Sequence, residues 1–333
     1  MNGVTDASVA AEPERPARRI TLLRGREFGT LLGLIVLCAA LWIASPHFLT
    51  PSNLLNVVEQ SAIIGIIAVG MTFVIITAGI DLSVGSLVAL SGIAFGTAVH
   101  QGVPLPLAAG IGLGTGMACG AVNGLLITIG RLPPFIATLG MMSMARGAAL
   151  MLSDGRPISG YPEGFRLLAT GSVMGIPVPV LLMLAIYGIA HFTLRRTTFG
   201  RYTYAIGGNE EAATLSGVNV RGNKTLVYSL SGLLSAVTAL LLVARLNSAQ
   251  PIAGIMYELD AIAAVVIGGA SLMGGAGSVV GTLIGALIMA VLRNGLNLLG
   301  VPSYVQQVAI GAVIVIAVLV DMALRRRERL PTG

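Results

Sequence analysis

Few residues in this chain are of a type that makes or breaks bonds, and their spacing does not suit that work. His47, His100 and His191 are scattered near the ends of apolar runs and show no metal-ligand spacing. Glu59, Asp81, Asp260 and Asp321 also lie near run ends, so an ion relay at mid-membrane depth has almost nothing to work with. Lys224 is the single lysine and follows Gly222-Asn223, whereas a Walker loop needs Gly-Lys-Ser/Thr. There is no Gly-x-Gly-x-x-Gly fingerprint and no His-Glu-x-x-His. Cys38 and Cys119 sit inside apolar runs, as inert buried thiols do. The chain is therefore expected to be no enzyme, with no metal and no cofactor.

What remains is recognition. Between two long apolar stretches lies a polar island, Arg195 to Lys224. In it Gly207-Gly208 breaks the chain and Asn209 is a favoured N-cap. Glu210 and Glu211 follow in the first turn, where negative charge suits the helix dipole. Ala212, Ala213 and Leu215 propagate a helix that Gly217 can close in a left-handed cap. A helix of about two turns is marginal alone in water, so it must dock. It can pack on its own helix ends, or serve as a lever fitting a groove in a partner.

Polar residues inside apolar runs form a second set. Asn123, Asn294 and Asn297 are expensive in lipid and should face protein or a watery passage. Asp81 or Ser83 suits a cap for the helix that follows; a hinge or pathway role for Asp81 is the alternative. Tyr257, Glu258 and Asp260 open a helix at the outer face, with Glu258 the candidate for docking a binding protein. Arg146 and Arg293 are expected to snorkel to the outer interface.

The elements that must position these residues are membrane helices. The chain is 55% apolar and 10% charged, with a mean hydropathy of +0.89. A soluble domain carries about 25% charge, so lipid must cover part of this surface. Apolar runs fall at 28–45, 60–80, 82–99, 104–130, 134–152, 173–194, 225–244, 258–274, 276–293 and 302–321. That predicts an all-α polytopic membrane protein of about ten crossings, with both termini cytoplasmic. Residues 1–27 form a polar tail, 28–323 the membrane domain, and 324–333 a basic tail. The stretch 261–292 has no charge and could be one overlong helix; nine crossings would then put the C-terminal arginines outside. The Gly274-Gly275-Ala276-Gly277 break gives two short spans or two re-entrant half-helices instead.

The net charge of +6 is not a nucleic-acid signal. The N-terminal tail, Arg131, the island and the C-terminal Arg-rich segment hold 15 of the 20 basic residues, all on one side of such a fold. Gly112, Gly116, Gly120 and Gly124 recur at four-residue intervals, as do Gly277, Gly281 and Gly285, and each series lines a helix face for close approach. Gly85-Ser86-Leu87-Val88 and Gly277-Ser278-Val279-Val280 both open an apolar helix after a polar break, a faint internal repeat.

The island resembles the cytoplasmic coupling loop of bacterial ATP-binding-cassette importers: Glu211-Ala212-Ala213 and Gly217 match its pattern. The stretches 68–90 (AVGMTFVIITAGIDLSVGSLVAL), 135–147 (FIATLGMMSMARG), 257–285 and 294–300 (NGLNLLG) look like the ribose-type monosaccharide permeases of such importers. The likeness runs from about Leu49 to Asp321. It implies a permease in the bacterial inner membrane that moves a monosaccharide, most simply ribose, by alternating access. It also implies a second permease subunit, most simply an identical one, a cytosolic ATPase and a periplasmic sugar-binding protein. Gly208 to Ala213 and Gly217 would contact the ATPase; Asp81, Asn123, Asn294 and Asn297 would line the pathway. Relatives for xylose, arabinose, galactose or autoinducer-2 look similar, and an ion-coupled secondary carrier is the competing class. Ala276 and Ser278 depart from the basic residues that relatives often carry in the Gly-rich turn.

Overall fold

The computed structural model describes residues 25–329, with side chains from 27 to 319. The two tails, apart from their helical ends, lie outside the described residues. Among the described residues seven helices are long and apolar enough to cross a membrane: α1 Gly25–Ala44, α2 Pro51–Ile76, α4 Leu105–Thr128, α5 Pro134–Leu152, α7 Val178–Arg196, α10 Val220–Leu246 and α12 Val279–Leu298. Two more, α3 Val84–His100 and the Ser303–Leu319 part of α13 (Ser303–Arg329), are shorter apolar helices. The expected span at 258–274 is a half-helix, α11 Tyr257–Ile267, after which residues 268–278 run without helix to α12. The glycines force this break: Gly269, Gly274 and Gly275 all have φ between 70° and 88°, which an α-helix cannot hold.

α2 runs through the middle of the bundle. Its side chains from Ser61 to Ile76 are buried almost without interruption, against α7 and α10 on one side and α11 and α12 on the other. It starts nine residues before its apolar run, because Pro51 is a good first-turn residue and Asn53 finds a buried partner. The glycine stripe of α4 packs within the chain. Cβ atoms at Gly116, Gly120 and Gly124 would strike the backbone of α10 at Gly232, Tyr228 and Thr225, whereas Gly110 and Gly114 face open space. Gly281 and Gly285 bring α12 equally close to α11. Large apolar side chains stand exposed around the outside, among them Phe28, Ile35, Ile43, Phe135, Met144, Ile189 and Phe192, which is where lipid belongs.

One end of the bundle carries the connection from Ser153 to Pro177. It holds α6 Glu163–Thr170 and a hairpin of β2 (Ser172–Val173) and β3 (Ile176–Pro177), turned at Met174 and Gly175 with positive φ at both. β1 (Ile158–Ser159) pairs antiparallel with β4 (Ser248–Ala249), tying this connection to the end of α10. The opposite end carries the island as two helices, α8 Thr198–Gly208 and α9 Glu210–Leu215. Only α9 was expected; Gly200 and Gly207 disguise α8, yet both are buried where a Cβ would hit backbone.

Candidate functional site

Side-chain caps start each helix of the island. Thr197 Oγ1 accepts from Gly200 N (3.2 Å) to start α8. Asn209 Oδ1 accepts from Ala212 N (2.9 Å) to start α9, with Glu210 and Glu211 in its first turn. Asn219 Oδ1 accepts from Gly222 N (2.9 Å) to start α10. Gly217, at φ 83°, turns the chain out of α9, and Val218 N donates to Ala213 O at 3.1 Å across the cap.

The two docking options divide between the faces of α9. Ala213 is buried against Ile206 and Val220, and Glu210 pairs with Lys224 of α10 at 2.5 Å. Gly208, Asn209, Glu211, Ala212 and Gly217 are exposed, and Leu215 is 83% exposed. The helix is thus anchored on one side and presents a small acidic and apolar face on the other. A groove of about 590 Å³ runs beside it, with Arg131, Arg221 and Lys224 on its walls.

α8 links this face to both breaks in the membrane helices. Gly207 lies so close to the Ile76 carbonyl at the end of α2 that no side chain fits between them. The same carbonyl accepts from Gly275 N at 2.9 Å, and Tyr204 Oη donates to Gly277 O at 2.8 Å. One rigid helix therefore seats the end of α2 and the 268–278 break together.

The polar residues inside the bundle go to separate places. Asp81 is fully buried in the break between α2 and α3. Its Oδ1 accepts from Ser83 N (3.0 Å) and Ser83 Oγ (2.6 Å), and its Oδ2 from Ser231 Oγ of α10 (2.8 Å). Asn123 Nδ2 of α4 donates to Ser83 Oγ at 3.0 Å, so Asp81 and Asn123 share one buried network. Ser83 holds the N-cap position of α3 but makes no cap bond with its side chain. Asn294 forms a reciprocal amide pair with Asn53 of α2, at 2.9 and 2.7 Å, and both are buried. Asn297 is exposed, and its Oδ1 accepts from Gln306 Nε2 at 2.8 Å.

Both arginines find protein partners. Arg146 Nη1 donates to the carbonyls of Pro251 and Ala253 (2.8 and 2.7 Å), which pins the connection before α11. Arg293 Nη2 donates to both oxygens of Asp260 at 2.6 and 2.7 Å. Asp260 and Arg293 flank the uncharged stretch 261–292, so each is the first charge met on leaving it, and a charge at such a place needs a partner. Glu258 is half-buried in the first turn of α11, within electrostatic reach of Arg146. Among the described residues no cluster of three His, Cys, Asp or Glu could hold a metal ion.

The profile of the family described as branched-chain amino acid transport system / permease component matches residues 53–318. The chain belongs to this family. It is 52% identical to the ribose import permease protein RbsC of Bacillus subtilis, over 89% of this chain and 92% of that one. It is 47% identical to the protein of the same name from Haemophilus influenzae (92% and 95% covered) and 50% identical to that from Escherichia coli (88% and 92% covered). No solved structure matches the chain. The family accounts for the long apolar helices: this is a permease component, a multi-pass membrane protein.

Proposed function

We propose that the chain is the membrane permease of an ATP-driven importer, that it carries ribose, and that it is moved by a separate ATPase through α9. The observation that carries this reading is the division of α9: anchored through Ala213 and the Glu210–Lys224 pair, exposed at Glu211, Ala212 and Leu215. A helix of six residues with a free outer face, on a chain with no phosphate-binding loop of its own, suits a groove on a nucleotide-hydrolysing subunit. Ribose follows from the names of the relatives at 47–52% identity.

In this reading the ten helices α1 to α5, α7 and α10 to α13 count as ten crossings, so both termini and the island are cytoplasmic. Two permease subunits, most simply identical, meet in the membrane. Closure of the ATPases on ATP moves α9; α8 carries the movement to the ends of α2 and of the 268–278 break, and the passage reorients. The permease performs no chemistry. A periplasmic binding protein delivers sugar at the face away from the island, where Glu258 stands near its docking surface. Asp81 and Asn294 act as fasteners between helices, and Asn297 borders the passage.

The test is uptake by proteoliposomes holding the permease, its ATPase and its binding protein. Ribose is expected to accumulate only when ATP is inside the compartment that bears the ATPase. Accumulation by the permease alone under a proton or sodium gradient would overturn the reading in favour of an ion-coupled carrier.

A further inference from the structure

On the face away from the island, helices α2, α10, α11, α12 and α13 surround a cleft of about 230 Å³. Gln60 on its wall lies 16 residues before Ile76 in α2, which puts the cleft about 24 Å from the seat of α8. Ile63 and Leu242 make part of the lining apolar. The rest is polar, and its hydrogen-bonding capacity is largely unspent.

Arg293 uses only Nη2 on Asp260, so its Nη1 and Nε have no protein partner among the described residues. Asn297 Oδ1 and Gln306 Nε2 are joined, which leaves Asn297 Nδ2 as a free donor and Gln306 Oε1 as a free acceptor. The Tyr257 hydroxyl likewise has no hydrogen-bond partner among the described residues. These groups come from three helices and meet at one opening. A buried ion pair held this way is costly, and a fully self-satisfied network would be the simpler solution if the residues served packing alone.

We propose that this cleft is a low-affinity subsite for an uncharged polyhydroxylated solute, a pentose, on its way in from the outer face. The proposal rests on the importer reading. Each sugar hydroxyl donates one bond and accepts others, which matches donors and acceptors interspersed on the wall. Bonds to the charged guanidinium are the stronger ones and orient the ring. Ile63 and Leu242 suit its C–H face. One half-buried tyrosine gives no stacking platform on both sides, so release stays easy.

The probe is radiolabelled D-ribose, equilibrated with full-length permease in lipid nanodiscs without ATPase or binding protein. Saturable binding in the millimolar range, competed by unlabelled ribose and not by inorganic phosphate, is expected. Asn297→Leu with Gln306→Leu should weaken it about tenfold or more. Tyr257→Phe keeps the ring and removes only the hydroxyl, and should weaken it severalfold; it decides the matter if the double variant fails to fold. Non-saturable binding by the unaltered chain, unchanged affinity in a folded double variant or, where that variant does not fold, in Tyr257→Phe, or competition by phosphate overturns the proposal, the last by showing a basic anion site at Arg293 and at Arg245, which also lines the cleft. ATP-driven uptake by the intact complex separates the two readings. Uptake with no measurable binding removes the subsite and leaves the importer, whereas binding with no ATP-driven uptake removes the importer.

Discussion

Asp81 illustrates how a polar residue earns its place inside a membrane protein. Three hydrogen bonds from Ser83 and Ser231 converge on its carboxyl, and Asn123 braces Ser83 from a third helix. Asp81→Ala would strand these buried donors at about 1–3 kcal/mol each, so a clear fall in the thermal midpoint of the purified protein is expected. Ser231→Ala removes one bond and should cost a fraction of that. Arg293→Ala leaves the Asp260 carboxyl, 1% exposed, without its partner, at about 3–5 kcal/mol in the general case. Arg293 keeps some contact with solvent, so the lower end applies. Adding Asp260→Leu to Arg293→Ala should recover much of the loss, and a double-mutant cycle on thermal unfolding measures it. The sequence announced that these side chains needed company but did not name it. Asn294 finds Asn53, 241 residues away, and Arg293 finds Asp260, 33 away; only folding makes such pairs visible.

At the scale of elements, local signals were legible and docked ones were not. The start of α9 could be read in advance because an Asn followed by two Glu is a rule of neighbouring backbone. Asn209→Ala should cost about 1 kcal/mol of local helix stability and lower the ratio of sugar moved to ATP hydrolysed. The helix α8 stayed hidden because its two buried glycines look like breakers. They are there because α8 lies against α7 and against the end of α2. Gly207→Val therefore has nowhere to put its side chain. It should separate hydrolysis from transport: ATPase activity retained in the reconstituted complex, ribose uptake lost. Equal loss of both, in a variant that still assembles, would place Gly207 in folding rather than in coupling. Bulky apolar replacements at Glu211 and Gly217, at the exposed face of α9, should abolish stimulation of the ATPase by loaded binding protein.

For the molecule as a whole, hydropathy gave the number of apolar runs but not their division into whole and partial spans. The run at 258–274 has the composition of a span, yet only 257–267 is helical. The glycines from 269 to 285 serve two purposes, as helix breakers at 269, 274 and 275 and as the close-contact face of α12 at 281 and 285. The close-packed seam of α4 and α10 links the end with the hairpin to the end with the island. Leu in place of Gly116 or Gly120 would drive backbones apart, and a large loss of thermal stability is expected with no specific effect on coupling.

Lys224 has one further consequence. It is the only lysine in the sequence, it is nearly shielded from solvent, and its ammonium is held by Glu210 at the root of α9. An amine-selective reagent thus has a single side-chain target in the whole polypeptide, apart from the terminal amine. Its rate of labelling reports how often that clasp opens. On the importer reading proposed above, acylation of this one nitrogen, followed through the nucleotide cycle, would time the movement of α9 with no probe engineered into the protein.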